Sequence, residues 1–503
     1  MRRFIDLFVS AYPLTRLSTV LTTLAFRHLL VRKRRSLFLL VGFSLGVGVM
    51  IVLLSVGEAM LEQSRDVSLV GGGELTVLPQ GIDIEAMRTG GLGAMFFGID
   101  RARFLTRQIL GGPRNAEQVQ VVSPVIEGEL LYLRRGERTI PVRAGAEIPS
   151  RASAVGAGLD LRSGLWKDSR DDSIYVAPTA QQFYDEIDRF HLPSRPDSTW
   201  AEWHYFNVVV TAEEWWYITF LMGGQVRAGE WGGQILVTHR RPDGSYERFA
   251  ARVPSSLVEF DTASADVTIS RSSVRQRSGS YRLLAVANGR AGEVSIDIDL
   301  VPARNRYFPP VELRENEFFS GYVVPALSAK ASGKICVGGA CRRFSNATAY
   351  HDHNWGVWRE VTWEWGTGEG SRLNLLYGGV YVPGGDGTHE SSSSSSPFFL
   401  TLVDSLGVKQ VLRFTRINYD GEQPAAGIDR AKAPRRFSLV GTRESDSVRL
   451  AVRVLDAVAT EMEASDFRRT FLQMRGEFNL TGRLAGETVA DSGLGFFETY
   501  TVP

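Results

Sequence analysis

The chain has 503 residues, of which 44% are hydrophobic and 22% charged, so its length suffices for several domains with sizeable cores. Lysine and arginine (57) almost equal aspartate and glutamate (56), so the charge balance does not indicate a nucleic-acid partner, and none is predicted. The content of 51 glycines, with strand-like stretches through the second half, favours a mainly β protein.

The N-terminal 35 residues are basic and carry an apolar helical pattern. In PLTRLSTVLTTLAFRHLLV, residues 13–31, leucines recur at helical intervals. This pattern predicts an amphipathic helix that lies on the cytoplasmic face of a lipid bilayer. We therefore take residues 1–35 as a cytoplasmic segment.

Residues 36–57, SLFLLVGFSLGVGVMIVLLSVG, form a run of 22 residues without a charge. A helix needs about 20 apolar residues to span a bilayer, whereas the apolar core of a cleaved signal peptide has roughly 7–15. The run therefore predicts one transmembrane helix. Gly42 and Gly46 are spaced so that another helix can approach closely, although membrane helices also tolerate glycine without a partner.

Charges that flank this run predict its orientation. Four basic residues, 32–35, precede it, and Glu58 and Glu62 follow it, so the positive-inside rule places the N-terminus in the cytoplasm. Everything after about residue 58 is then extracytoplasmic. Cys336 and Cys341 bracket VGGA and are predicted to form a disulfide there, with free thiols or metal ligation as the alternatives.

Residues 23–80 include LAFRHLLVRKRRSLFLLVGFSLGVGVMIVLLSVGEAM and GGGELTVLP. This stretch resembles the first span and outer domain of ABC-transporter permeases of the macrolide-exporter and lipoprotein-release type. The likeness weakens beyond it and ends near residue 190, and the three further spans of such permeases are absent from the sequence. The resemblance implies a bacterial inner-membrane anchor, a permease-core-like periplasmic region over 58–195 and contacts with a membrane complex through the Gly42/Gly46 face.

Short strand-like segments with turns between them recur from residue 196 onward, for example GGQILVTHRR, YRLLAVANG and RLNLLYGGVYV. Such spacing is typical of antiparallel barrels or sandwiches. About 300 residues exceed one barrel, so two antiparallel β-barrels are expected, over 196–345 and 346–503. They follow the single transmembrane helix and a small α+β extracytoplasmic region.

The stretch AYHDHNWGVWR, residues 349–359, is the densest polar motif in the chain. On a strand, Tyr350, Asp352 and Asn354 share one face, and His351, His353 and Trp355 share the other. Two histidines at this spacing can bind a metal together, but the aspartate points away and no other histidine-rich segment supplies a third ligand. We therefore predict neither a metal site nor a cofactor.

The face that carries Tyr350 and Asp352 places a carboxyl group beside a phenol. Residues 200–365 around this strand hold nine of the ten tryptophans. Burial among aromatic rings would keep Asp352 protonated and able to donate a proton, while the rings would stabilise a cation. The alternative is a barrel wall in which Asp352 only satisfies backbone groups. If the site binds an apolar ligand, the predicted lining residues are Trp215, Trp216, Tyr217, Tyr322, Trp355 and Trp363.

YHDHNWG, together with EWWYITFLMGG at 214–224, is similar to the hydroxyneurosporene synthase (carotenoid 1,2-hydratase) and AttH-like family over residues 200–500. The resemblance implies two lipocalin-like barrels and hydration of an acyclic carotenoid without a cofactor. Asp352 would be the acid and Tyr350 its partner, with Asn354 positioning water. The hydratases of that family also use a histidine and a tryptophan on the preceding strand, and FFSGYVVPALSAKASG has neither, with Tyr322 its only polar aromatic residue.

Three functions follow from these patterns. The first is a membrane-anchored enzyme that hydrates or isomerises an apolar isoprenoid, such as a carotenoid. The second is a non-catalytic anchored subunit of a larger membrane complex, either a photosynthetic pigment–protein complex or a transporter. The third is a lipid carrier that works beside an exporter.

Overall fold

The structure is a computed structural model that describes most of the second half of the chain and parts of the first. Apart from single residues between 23 and 114, the described ranges are 33–64, 119–136, 138–155, 167–172, 187–191, 199–226, 228–315, 318–357, 362–381, 398–464, 467–484 and 486–501. The amphipathic helix predicted over 13–31 and most of the region predicted over 58–195 lie outside these residues.

Helix α1 (Lys33–Ser64) contains the apolar run. Its segment Lys33–Val56 has a mean hydropathy of 2.8 and is not covered by other parts of the chain, so by length and composition it is able to cross a membrane. A signal sequence near the N-terminus meets the same criteria. A Cβ placed on Gly42 or Gly46 would meet nothing within 4 Å, so neither glycine is covered by the described residues.

A hairpin of β1 (Val125–Arg135) and β2 (Arg138–Glu147) is followed by the short helix α2 (Pro149–Ala154). These elements and α1 belong to one compact unit, and residues 96–124 and 169–503 form a second unit. The hairpin and α2 lie within the small α+β region that the sequence predicts over 58–195.

The first barrel is a closed ring of eight antiparallel strands, in the order β3-β4-β5-β6-β10-β11-β13-β14 and back to β3. Strands β7 to β9 extend the sheet from β10, and β12 pairs with β13. A 3₁₀ turn at Ser255–Leu257 precedes β7. The strands are β3 (Thr199–Thr211), β4 (Glu214–Gln225), β5 (Glu230–Arg240), β6 (Tyr246–Pro254), β7 (Val258–Phe260), β8 (Val267–Ile269), β9 (Ser272–Arg277), β10 (Ser280–Gly289), β11 (Gly292–Pro302), β12 (Phe308–Glu315), β13 (Phe318–Val337) and β14 (Ala340–Val357).

The second barrel is also a ring of eight antiparallel strands, closed where β18 pairs with β20, and β19 extends it from β20. Its strands are β15 (Thr362–Gly370), β16 (Asn374–Tyr381), β17 (Phe398–Asp404), β18 (Gly407–Phe414), β19 (Asn418–Pro424), β20 (Lys432–Arg443), β21 (Asp446–Ala464), β22 (Phe467–Leu484) and β23 (Glu487–Thr501). The prediction of a mainly β chain with two lipocalin-like antiparallel barrels after one apolar helix is confirmed.

The predicted boundary between the barrels at residues 345 and 346 is wrong, because it falls inside β14. This strand pairs with β13 and β3 and so belongs to the first barrel. The turn before it, at Gly338 and Gly339, is a hairpin within that barrel, and the disulfide Cys336–Cys341 (S–S 2.06 Å) spans this turn. The barrels divide between Val357 and Thr362.

Each barrel encloses its own apolar core, because side chains alternate between the two faces of every strand. A third, largely aromatic cluster packs the outer faces of the two barrels against each other. Polar contacts join the same faces: Arg240 forms an ion pair with Asp456 at 2.9 Å, and Arg306 donates to Asn374 at 2.6 Å. The inter-barrel cluster consists of Tyr205, Trp215, Tyr217, Phe308, Tyr322, Val324, Leu327, Tyr350, Trp365, Leu376, Val403 and Val458, with Trp363 and Phe496 among the residues packed on it.

Candidate active site

Strand β14 separates the YHDHNWG motif into two faces, as its alternation predicts. Tyr350 lies in the cluster between the barrels, and Asp352 is held on the same face by a hydrogen bond with it. Their exposed fractions are 4% and 2%. His351 and His353 instead lie among the core residues of the first barrel. The acid therefore lies in the aromatic surroundings between the two barrels.

Asp352 accepts a hydrogen bond on each carboxyl oxygen. The Tyr350 hydroxyl donates to Oδ2 at 2.8 Å, and Nδ2 of Asn354 donates to Oδ1 at 2.6 Å. Nε1 of Trp365, on the second barrel, donates to the Tyr350 hydroxyl at 3.0 Å. An indole N–H is a donor only, so the phenol hydrogen is left to point at Asp352. Two hydrogen bonds therefore reach the carboxyl group directly, and the third orients the tyrosine that makes one of them.

Burial raises the pKa of Asp352 to about 8, and the nearby Glu498 adds to this rise. The hydrogen bonds from Tyr350 and Asn354 stabilise the carboxylate and act in the opposite direction. The loss of hydration outweighs them, so Asp352 is mostly protonated at neutral pH. When Asp352 releases its proton, the hydrogen-bond donors Tyr350 and Asn354 are already in place to stabilise the carboxylate.

The second barrel supplies polar partners that the sequence did not indicate. Nε2 of Gln473 donates to the Tyr205 hydroxyl at 3.0 Å and to Glu498 Oε1 at 3.3 Å, and Nε1 of Trp363 donates to Glu498 Oε2 at 3.3 Å. Glu498 keeps part of its surface exposed, yet its carboxyl group is surrounded by protein, and this burial raises its pKa. The only signal for Glu498 is an acid within the aromatic strand FFETYT.

Four of the six predicted lining residues meet at this site. Trp215, Tyr217, Tyr322 and Trp363 all belong to the inter-barrel cluster or pack on it. The ring of Tyr322 meets Trp365 edge-on with centroids 5.1 Å apart. These rings give the inter-barrel site apolar, π-rich surroundings.

The other two predicted lining residues, Trp216 and Trp355, do not join these four, because they lie on the opposite side of the barrel wall. Trp216 stacks on His239 at 3.6 Å, and Trp355 stacks on His191 at 3.8 Å. The residues next to each of them on its strand face the second barrel. Because side chains alternate along a strand, Trp216 and Trp355 point into the first barrel.

A second polar cluster, which we call the histidine cluster, lies inside the first barrel and consists of Asp188, Glu202, His204, His351 and His353. Nδ1 of His353 is 2.6 Å from Asp188 Oδ1, and its Nε2 forms an ion pair with Glu202 at 3.0 Å without the alignment of a hydrogen bond. His191 contacts Glu202 through both its backbone N–H and Nδ1.

Charges in the histidine cluster are set by burial and by mutual contacts. Burial opposes protonation of His353, but the hydrogen bond to Asp188 and the ion pair with Glu202 outweigh it and raise its pKa to about 9. Burial lowers the pKa of His204 well below the usual value, so this ring is neutral. Burial alone would raise the pKa of Asp188, but the surrounding histidines hold it well below its usual range.

No protein-family model matches the chain, and no curated protein matches it. Among solved structures, an AttH protein from Nitrosomonas europaea is 17% identical, with 61% of this chain and 94% of that chain covered and a TM-score of 0.42. The structure of CghA with Sch210972 is 10% identical, with 61% and 89% covered and a TM-score of 0.43. Kievitone hydratase from Nectria haematococca is 14% identical, with 63% and 94% covered and a TM-score of 0.39.

Proposed function

We propose that the chain is a membrane-anchored protein whose inter-barrel site binds an apolar isoprenoid and adds water to one of its double bonds, with Asp352 as the acid. The observation that carries this proposal is the position of Asp352. It is a buried, protonated carboxyl group that receives hydrogen bonds from Tyr350 and Asn354 among aromatic rings. The resemblance of YHDHNWG to the carotenoid hydratases supports an acyclic carotenoid as the substrate.

The reaction needs no cofactor and balances with water alone. Asp352 gives its proton to one alkene carbon, and the π electrons form the new C–H bond and leave a tertiary cation on the other carbon. Water adds to that cation and returns a proton to the Asp352 carboxylate. Tyr350 and Asn354 stabilise the carboxylate between these steps, and the aromatic ring of Tyr322 shelters the cation.

The helix and the cysteines support a location for the protein. Helix α1 would anchor the chain in a bacterial inner membrane, with the basic residues before it in the cytoplasm and the barrels in the periplasm. The disulfide Cys336–Cys341 supports this side, because disulfides persist in oxidising compartments. The permease-like anchor and the uncovered Gly42 and Gly46 support a helical partner in the membrane.

A second candidate function is a non-catalytic anchored subunit of a larger membrane complex, such as a pigment–protein or transporter complex. The observation that favours it is the close packing between the barrels, where Tyr350 and Trp215 are 4% and 2% exposed. In this case the hydrogen bonds from Trp365 through Tyr350 to Asp352 join the barrels and perform no chemistry.

The test is turnover by the full chain, extracted in mild detergent and incubated with acyclic carotenoids. The product is a carotenoid heavier by one water, detected by liquid chromatography and mass spectrometry. We expect Asp352→Asn to reduce its formation by about 100-fold or more. Asp446→Asn is the matched control, because Asp446 is also a buried aspartate but contacts Gln410 in the second barrel.

Equal turnover by wild type and Asp352→Asn would contradict the proposal that Asp352 is the acid of a hydratase. If the wild type forms no hydrated product and is recovered in fixed stoichiometry within a larger particle, the anchored-subunit function replaces it.

A further inference from the structure

The histidine face of the motif meets two residues from elsewhere in the chain. His351 on β14, His204 on β3 and Asp188 in the segment 187–191 each offer a potential ligand atom, and these atoms lie within 4.8 Å of one another. All three side chains are 0% exposed. The expectation that the motif's histidines lack a third ligand is therefore wrong, because the fold brings Asp188 and His204 to them.

Hydrogen bonds to the backbone fix which nitrogen of each histidine carries a hydrogen. Nε2 of His204 is 2.9 Å from the carbonyl of Ala265, and Nδ1 of His351 is 3.1 Å from the carbonyl of Tyr205. A carbonyl oxygen only accepts, so these two nitrogens are the donors. In the neutral rings, Nδ1 of His204 and Nε2 of His351 then keep their lone pairs.

These lone pairs lack suitable hydrogen-bond donors. Nδ1 of His204 is buried and has no hydrogen-bond partner among the described residues. When the ring of His351 is neutral, its Nε2 faces Asp188 Oδ2 at 3.4 Å as one acceptor opposed to another, so a proton or a metal ion is needed between them. A proton bridges two acceptors, whereas a metal ion satisfies three. Ligands of a tetrahedral zinc ion lie roughly 3.3 Å apart, given Zn–N and Zn–O distances of about 2.0–2.1 Å.

We propose that Asp188, His204 and His351 bind a divalent transition-metal ion, and that zinc is the ion best suited to two imidazoles and a carboxylate. The surroundings hold the ligands in place. The Tyr281 hydroxyl donates to Asp188 Oδ2, and Nδ1 of His353 contacts Oδ1 at 2.6 Å. Such outer contacts orient ligating groups in metal sites.

The role of the site is structural, because every ligand is enclosed by the first barrel. Asp188 lies in a segment that precedes β3, whereas His204 and His351 lie on the paired strands β3 and β14. The ion would therefore tie this segment to the barrel wall. Phe190, which is buried against the ring of His204, packs the same segment into the core.

The test is the metal content of the full chain, purified in mild detergent with zinc sulfate and then freed of unbound metal. Inductively coupled plasma mass spectrometry should find about one zinc ion per chain, and zinc should raise the Tm. Cobalt(II) in place of zinc should give visible absorption bands of a nitrogen- and oxygen-ligated site. Asp188→Asn and His351→Gln should each lower zinc retention at least tenfold.

The matched control is His239→Gln, because His239 is a buried histidine in the same barrel that stacks on Trp216 and contacts Glu214. This variant should retain zinc as the wild type does. Wild-type protein without zinc or a cobalt spectrum would overturn the proposal. Unchanged zinc retention in Asp188→Asn would do the same, and this near-isosteric variant decides the matter if His351→Gln does not fold.

Discussion

The Tyr350 hydroxyl donates to Asp352 at 2.8 Å on a buried face of β14, and the direction of this hydrogen bond is fixed by a second one. Its oxygen already accepts the indole N–H of Trp365 at 3.0 Å. Trp365 of the second barrel thereby directs the Tyr350 hydroxyl hydrogen toward Asp352 of the first barrel. The inter-barrel contact and the acidity of Asp352 are consequently linked.

Tyr350→Phe should raise the pKa of Asp352 further above 8, because the carboxylate loses a donor while burial is unchanged. It should also lower the free energy of unfolding by about 1–2 kcal/mol, since Trp365 Nε1 is left without its acceptor. Urea unfolding and the pH dependence of turnover measure the two effects. Tyr377→Phe is the control, because the buried Tyr377 hydroxyl has no hydrogen-bond partner among the described residues. Equal effects of both substitutions would contradict the role of the hydrogen bond.

The free energy of unfolding should fall as the pH rises above neutrality. The folded-state pKa of Asp352 is raised to about 8 and that of His353 to about 9, so both groups bind more protons in the folded than in the unfolded chain. The stability that this adds is present at low pH. It is lost between about pH 4 and 8 for Asp352 and between about pH 6.5 and 9 for His353.

Asp352→Asn isolates the first of these contributions. The free energy of unfolding of the wild type minus that of the variant should decrease from about pH 4 to pH 8 and then stay constant. Chemical unfolding at a series of pH values measures this difference. A difference that does not change with pH would show that Asp352 titrates normally.

The sequence predicted both barrels and the faces of β14, because strand alternation and turn spacing are local properties. Tyr350, Asp352 and Asn354 were grouped correctly by alternation alone. The same rule was not applied to the aromatic run EWWY, where Trp215 and Tyr217 face the second barrel and Trp216 faces the first core. Adjacent residues of a strand cannot line one site.

Partners from distant strands were beyond prediction. Glu498, Gln473 and Asp188 stand in sequence stretches that contain no motif, and only the folded chain brings them to β14 or to the adjacent β3. The pairing of such strands is set by topology, which depends on the whole chain. The boundary between barrels was misplaced for a related reason, since a hairpin and a domain break carry the same turn residues.

Gly321→Ala should destabilise the first barrel by about 1–3 kcal/mol, because a Cβ would lie 2.2 Å from two atoms of the Trp355 indole. Trp355 is 1% exposed and stacks on His191, so it has little freedom to move. Urea unfolding gives the cost. In a Trp355→Leu background the same substitution should cost far less, and a similar cost in both backgrounds would exclude this clash as the cause.

Arg240→Met should weaken the contact between the barrels. Arg240 pairs with Asp456 at 2.9 Å and lies over the Trp215 ring at 4.7 Å, so its loss leaves a half-buried carboxylate and removes a cation–π contact. We expect a cost of about 1–3 kcal/mol in the free energy of unfolding. Arg271→Met, which breaks an exposed pair with Glu293, should cost at most about 1 kcal/mol. Costs of equal size would contradict a role for Arg240 at the joint.

The central claim is that Asp352 is a protonated acid at neutral pH, and infrared difference spectroscopy of the full chain tests it directly. The wild type should show a carbonyl-stretch band of a protonated carboxyl group that disappears with a midpoint near pH 8, where the pKa of Asp352 lies. This band should be absent from Asp352→Asn. Identical spectra for the two proteins between about pH 6 and 9 would show that Asp352 is already ionised, and the proposed acid would have no proton to give.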